Sequence, residues 1–299
     1  MRLFILMAAL SVAACAPENA NEKLNNTKED NTEQGDTTAI DENSAPPKLV
    51  QSWIADGFSA PEGVAYGDGK IFISNVAGQG TDKDGEGWIS VLSTDGEIIN
   101  NKLVTGLDAP KGMAIRENNL FVADIDRVHI IDHRTGDLLK TLPVADAKFL
   151  NDVTNFQNEI YVSDSATGKI HVVQDNQVDV LLEDDRFAGI NGLTGLPDRL
   201  MIATMEAGSL FSYDSEKNLV ELASGMTSAD GIGYLPETGG YLVSSWPGQI
   251  WYVSSAGQKT ELLNTADDNI YQNDLTVLNG NLVIVPNWQP GTVTAWEIE

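Results

Sequence analysis

Ala60-Pro61-Glu62-Gly63-Val64-Ala65, Ala109-Pro110-Lys111-Gly112-Met113-Ala114, Phe149-Leu150-Asn151-Asp152-Val153-Thr154, Gly189-Ile190-Asn191-Gly192-Leu193-Thr194, Ser228-Ala229-Asp230-Gly231-Ile232-Gly233 and Tyr271-Gln272-Asn273-Asp274-Leu275-Thr276 are one motif written six times. Successive copies lie about forty residues apart, the length of a four-stranded propeller blade. A β-rich run follows each, as in Ile71-Phe72-Ile73, Leu120-Phe121-Val122, Ile160-Tyr161-Val162 and Leu282-Val283-Ile284. Six repeats predict an all-β fold, a six-bladed propeller. The last repeat ends after a third strand near Thr292 to Ile298, with no fourth behind it. Residues 49–54 precede the first repeat and supply the missing outer strand, so the two ends of the chain close the ring in the last blade.

Upstream of the repeats the composition changes. Residues 1–14 read as a secretory signal: Arg2, then an apolar run from Leu3 to Val12, then small residues. The run is too short to span a bilayer. Val12-Ala13-Ala14-Cys15 resembles the lipobox of bacterial lipoproteins, in which the cysteine is acylated after cleavage. Cys15 is the chain's single cysteine, so no internal disulfide can form and anchoring accounts for it; an ordinary signal peptide cut nearby is the alternative. Ala16, a residue other than Asp after the cysteine, points by the same resemblance to the outer membrane, with the protein facing the periplasm. Residues 15–47 comprise this cysteine and a stretch of Asn, Thr, Glu and Asp that cannot bury a core, a tether expected to be disordered. The propeller occupies residues 48–299.

The net charge is −26, from 44 acidic and 18 basic residues. Such a surface repels phosphate backbones and excludes nucleic acid as a natural partner. The membrane is reached through the lipid, and the remaining partner is a small-molecule substrate.

Innermost strands of a propeller line a central channel, so one residue per repeat forms a ring around it. That ring reads Glu62, Lys111, Asn151, Asn191, Asp230 and Asn273. Burying six polar groups is costly unless something satisfies them. Carboxylates and amide oxygens without histidine or cysteine suit a hard cation, Ca²⁺ first and other divalent cations after it. The glycines that follow, Gly63, Gly112, Gly192 and Gly231, fit a place where strands crowd toward the axis.

The ring resembles that of the regucalcin/gluconolactonase family of six-bladed, calcium-dependent hydrolases, over the whole region from Leu49 onward. The resemblance rests on Glu62 in Pro-Glu-Gly, the Asn151-Asp152 pair, Asn191-Gly192 and Asp230-Gly231, in order and in successive blades. It implies a metal set of Glu62, Asn151, Asn191 and Asp230, with Asp230 as catalytic base or, as in related phosphotriesterase-type propellers, nucleophile. The family's sugar-lactone enzymes carry an arginine where this chain has Phe149, which detaches gluconolactone from the expectation. Lys111 lies outside the family's metal set. It reads either as a contact for a substrate oxygen or as an ion-pair partner for Glu62. Asn273, Phe149, Trp246 and Trp288 complete the expected substrate contacts. Trp88, Trp246 and Trp288 lie in or beside loops that should rim the metal end, where they either grip a ring-shaped ligand or pack under their own loops.

Other residues have quieter readings. His129 and His171 share a third-strand register with Ser90, Phe211, Trp251 and Thr294, a packing position, and His133 lies in a turn. No histidine is placed to act as base at the axis, which argues against a quinone-dependent dehydrogenase or a histidine-dyad lactonase. Asp82-Lys83-Asp84-Gly85-Glu86-Gly87 resembles part of an EF-hand loop but lacks the remaining ligands. The expectation is a lipid-anchored, Ca²⁺-dependent hydrolase of lactone-like esters; the rival is a non-catalytic propeller that binds ligands or docks proteins at the outer membrane.

Overall fold

A computed structural model describes residues 45–299; Cys15, the signal segment and the tether up to residue 44 lie outside the described residues. The described chain forms six antiparallel sheets in sequence order. Five blades cover residues 61–107, 110–143, 150–183, 190–223 and 229–264, each a four-stranded meander. The sixth is built from Tyr271–Gln272, Thr276–Leu278, Leu282–Gln289 and Thr292–Ile298, with Leu49–Asp56 as its outer strand. Leu49 pairs with Ile298 and Asp56 with Thr292, so the ring closes as the incomplete last repeat predicts.

Alternation along each strand explains the packing. In Lys70–Asn75, Ile71 and Ile73 face the sixth blade while Phe72 faces the second. With a period of two, a strand buried on both faces feeds two different interfaces. The main apolar core is therefore six clusters, one between each pair of neighbouring blades. None of them sits on the axis, which is left to polar side chains.

The same defect recurs where each first strand begins. Pro61 pairs with Asn75, yet Val64 pairs with Ile73, so one extra residue stands in the inner strand. Blades two to five repeat this shift between the same positions. In blade six the inner strand breaks there outright, between Gln272 and Thr276. A bulge re-aims side chains that would otherwise stay in the pleat. The residue pair inside it is the ring residue and its successor.

Candidate functional site

Every ring residue, Glu62, Lys111, Asn151, Asn191, Asp230 and Asn273, is under a tenth exposed. The glycines after four of them allow the blades to approach. A Cβ on Gly192 would lie 2.0 Å from the carbonyl oxygen of Asp230, and one on Gly63 would lie 2.4 Å from that of Lys111. In blades three and six the same position holds Asp152 and Asp274 instead. They fit because their neighbours are glycine: Cβ atoms on Gly112 and Gly231 would strike Asp152 Oδ1 at 2.3 Å and Asp274 Oδ1 at 2.4 Å. Asp152 accepts the backbone N–H groups of Val153 and Leu193, and Asp274 those of Leu275 and Val64. Sequence reasoning passed over these two carboxylates. Their signal was a single repeat column that reads Gly, Gly, Asp, Gly, Gly, Asp.

Four carboxylates thus share the axis with one lysine. Burial raises Glu62 well above the usual carboxylate range, and the Asp230 charge adds to it, while Lys111 opposes. Burial and then Asp152 lift Asp230 to about 8. Burial holds Asp152 near 7 in spite of its two backbone donors. Asp274 is raised by burial and then by Asp152, Asp230 and Glu62. Without a cation these groups keep protons that carboxylates normally lose.

Two of the ring amides are held by their nitrogens. Asn151 donates its Nδ2 to Ser165 Oγ at 3.1 Å, and Asn273 donates its Nδ2 to the Pro61 carbonyl at 3.2 Å. With nitrogen so engaged, the oxygen is the atom each amide keeps for another partner. Among the described residues no three His, Cys, Asp or Glu side chains converge as a ready-made cage. Glu62 and Asp230, with the side-chain oxygens of Asn151 and Asn191, offer oxygen atoms alone, the donor chemistry that suits a hard cation such as Ca²⁺.

Two columns of residues behind the ring hold it in place. At the end of the second strand in blades one to five stand Asn75, Asp124, Asp164, Thr204 and Ser245, and Asn287 stands two residues before the end of it in blade six, all buried. Asp124 accepts from the backbone of Asp108 and Ala109, and Asp164 from that of Lys148 and Phe149. These carboxylates fix the segments that lead into Lys111 and Asn151. One residue earlier, Ser74, Ser163 and Ser244 accept the N–H of Gly63, Asp152 and Gly231. They satisfy donors that the bulge leaves without a ladder partner. A polar residue closing every second strand was visible in the sequence but had no assigned role.

Lys111 sits 2 % exposed, and its Nζ donates to the carbonyls of Gly80 (2.8 Å) and Ala109 (3.0 Å). It also lies 4.5 Å from the centroid of the Phe149 ring. Burial lowers its pKa, with Glu62 and Asp124 working against that shift. It bonds to carbonyls rather than to Glu62.

Trp246 and Trp288 are half-buried near the same end, packed on each other at 6.3 Å, with Tyr271 5.1 Å from Trp246. Trp88 behaves differently. It is buried in its own blade, with its indole N–H on Ser90 Oγ and Lys102 over its ring.

The histidines stay off the axis. His129 bridges Asp124 Oδ2 (3.1 Å) and Thr141 Oγ1 (2.9 Å), His171 is buried between blades with Nε2 unpartnered, and His133 stands edge-on to Phe72. Residues 82–86 form a largely exposed loop, tied down by Lys83 to Asp126, and Gly87 already begins the buried third strand.

No sequence family matches the chain, and no curated protein matches it either. Solved structures do. A gluconolactonase from Xanthomonas campestris is 13% identical with a TM-score of 0.65, over 86% of this chain and 96% of that one. Virginiamycin B lyase from Staphylococcus aureus is 13% identical with a TM-score of 0.58, over 84% of this chain and 99% of that one. A chain of a nidogen/laminin complex is 14% identical with a TM-score of 0.58, over 76% of this chain and 85% of that one. The chain is a six-bladed β-propeller that shares its fold, at a distance, with gluconolactonases and with a streptogramin-type lyase.

Proposed function

We propose that this protein is a cation-dependent hydrolase of lactone-like or related esters. The observation that carries the reading is the group of buried carboxylates around Glu62 and Asp230, held with one lysine on a channel where apolar residues would have sufficed. Asn151 and Asn191 share the same register and complete an oxygen donor set. When bound, a divalent cation supplies Lewis acidity toward a carbonyl oxygen and lowers the pKa of water. Asp230 is the residue best suited to take a proton from water, or to attack directly. It stands in the ring, and its proton affinity in the cation-free protein lies near neutrality. Lys111 and Asn273 stand in the same ring, and the Phe149 ring lies against the Lys111 ammonium. Trp246 and Trp288 offer apolar surface at the same end, which suits an ester with a ring or alkyl portion better than a bare polyol.

A second reading has its own support. The ring is covered in this structure, and the ammonium of Lys111 is engaged by two backbone carbonyls. A docking or ligand-binding platform would need no open axis, and the same fold occurs in a nidogen/laminin complex. Calorimetric Ca²⁺ titration beside hydrolysis of a lactone and aryl-ester panel separates the two. Binding with turnover is the expected result, and binding without turnover on any ester favours the platform. No calcium binding refutes the axial cation.

The location follows from the lipobox-like Cys15: a periplasm-facing lipoprotein of the outer membrane. Cys15→Ser should move the protein from the membrane fraction to the soluble one. If mass spectrometry of the wild-type protein finds an unmodified N-terminal fragment, the anchor is wrong.

A further inference from the structure

The loop between the second and third strands of blade one, residues 76–86, reaches the ring at Lys111, whose Nζ donates to the Gly80 carbonyl. Its root is fixed: Val76 is buried, and Val76 and Ala77 donate their N–H groups to the carbonyls of Ala60 and Ser59. Beyond Ala77 nothing apolar anchors it. Residues 77–86 are half-buried or exposed and include Gly78, Gly80 and Gly85. Only polar ties hold the tip, and the strongest ones run to blade two. Gly80 gives its carbonyl to Lys111 Nζ, Gly85 donates its N–H to Asp108 Oδ1 at 3.2 Å, and Lys83 pairs with Asp126. Arg127, between Asp108 and Asp126, steadies both acceptors. The tip also reaches blade three, since a Cβ on Gly80 would lie 3.4 Å from the Phe149 ring.

We propose that residues 76–86 are a lid over the axial ring, that Lys111 is its inner latch and Lys83–Asp126 its outer one. A segment with a fixed root, glycines along its length and no apolar anchor opens at low cost without unfolding the blade beneath it. Lys111 stands at the boundary: closed, its ammonium is capped by Gly80, and open, it presents that donor to the ring. The lid admits ligands that offer Lys111 an oxygen in place of the Gly80 carbonyl, a carbonyl or carboxylate group being the simplest. The latch belongs to this chain's own residues, and its existence does not depend on which ester is turned over.

Hydrogen exchange on the full-length protein tests it, with two variants. Lys111→Met removes the inner latch, and Lys83→Ala removes the outer one without touching the ring. Lys111→Met should speed exchange of the amides of residues 78–86 by about tenfold, the effect of one lost charged hydrogen bond. Lys83→Ala should speed it by about two- to fivefold, because that pair is exposed. The strands of blades one and two should keep their wild-type protection. Lys83→Ala should also raise the rates of calcium binding and of release into a chelator by a common factor, leaving the Kd unchanged. Unchanged exchange in both variants overturns the lid. So does faster exchange spread across the whole of blade one, or faster loop exchange with calcium release unaltered. If the wild-type protein binds no calcium, the axial-cation reading falls alone, and the exchange pattern still decides the lid.

Discussion

Asp230→Asn is expected to weaken calcium binding by at least about a hundredfold and to abolish ester hydrolysis with it. Removing one member of a buried charge pair costs about 3–5 kcal/mol, because the partner is left without compensation. Here the partner is the cation, and Glu62 remains as the one carboxylate of the proposed ligand set. The substitution also removes the candidate base, a role worth about 10²–10⁴ in rate. Loss of hydrolysis with calcium affinity intact would assign Asp230 to the chemistry alone. Intact hydrolysis would remove it from both roles.

The same residue makes a pH prediction of unusual sign. A carboxyl whose folded pKa is about 8, against an ordinary value near 3.8, binds a proton in the folded chain that the unfolded chain releases. Its contribution to stability is complete below pH about 4, declines as the pH rises and is gone above about 8. Asp152, near 7, and the raised Glu62 and Asp274 act in the same direction. The melting temperature of chelator-treated protein should therefore fall between pH 5 and 8. Calcium should restore it most at pH 8, where the fewest protons have to be displaced for it to bind. Asp230→Asn should flatten this slope in part. A cation-free protein as stable at pH 8 as at pH 5 would contradict the buried-carboxylate account.

Deleting residues 49–54 should lower the melting temperature by about 10 °C or more. That strand is the outer edge of the sixth blade, and it joins the two ends of the chain through pairs from Leu49–Ile298 to Asp56–Thr292. Its side chains do more than cover an edge. Trp53 packs against the core shared by blades six and one, and its indole N–H reaches the Thr94 carbonyl at 3.0 Å. The turn at Gly96 presses on its ring, where a Cβ would stand 2.6 Å away. Trp53 is half-buried, so its truncation should cost less than the about 3–5 kcal/mol of a fully buried aromatic, and each kcal/mol shifts Tm by about 2–4 °C in a domain of this size. Trp53→Ala alone should reproduce a good part of the loss. A truncated protein melting within a few degrees of the intact domain would mean that the ring does not depend on this closure.

Repetition made the fold legible before any coordinates. A motif written six times gives the blade count, and an unfinished last repeat gives the closure, because the strand it lacks is supplied by the chain's first strand, which ties the two ends of the ring together. The ring of Glu62, Lys111, Asn151, Asn191, Asp230 and Asn273 was legible for the same reason. Equal register in equal blades means equal distance from the axis, whatever the side chain. Tertiary structure alone decided the rest. Asp152 and Asp274 become axial carboxylates only because a neighbouring glycine leaves each the space a Cβ would fill, and that neighbour lies in another blade about forty residues away. Trp88 lies inside its blade while Trp246 and Trp288 stay half-exposed, a distinction that pairing and burial draw and spacing does not. Lys111 read as a contact for a substrate oxygen or as an ion-pair partner for Glu62. It is held by the Gly80 carbonyl instead, through a loop whose path no periodicity encodes. Local pattern determines which strand a residue occupies and how far along it lies. What a side chain meets there depends on the neighbouring blade, because contact across a propeller joins residues that the sequence keeps far apart.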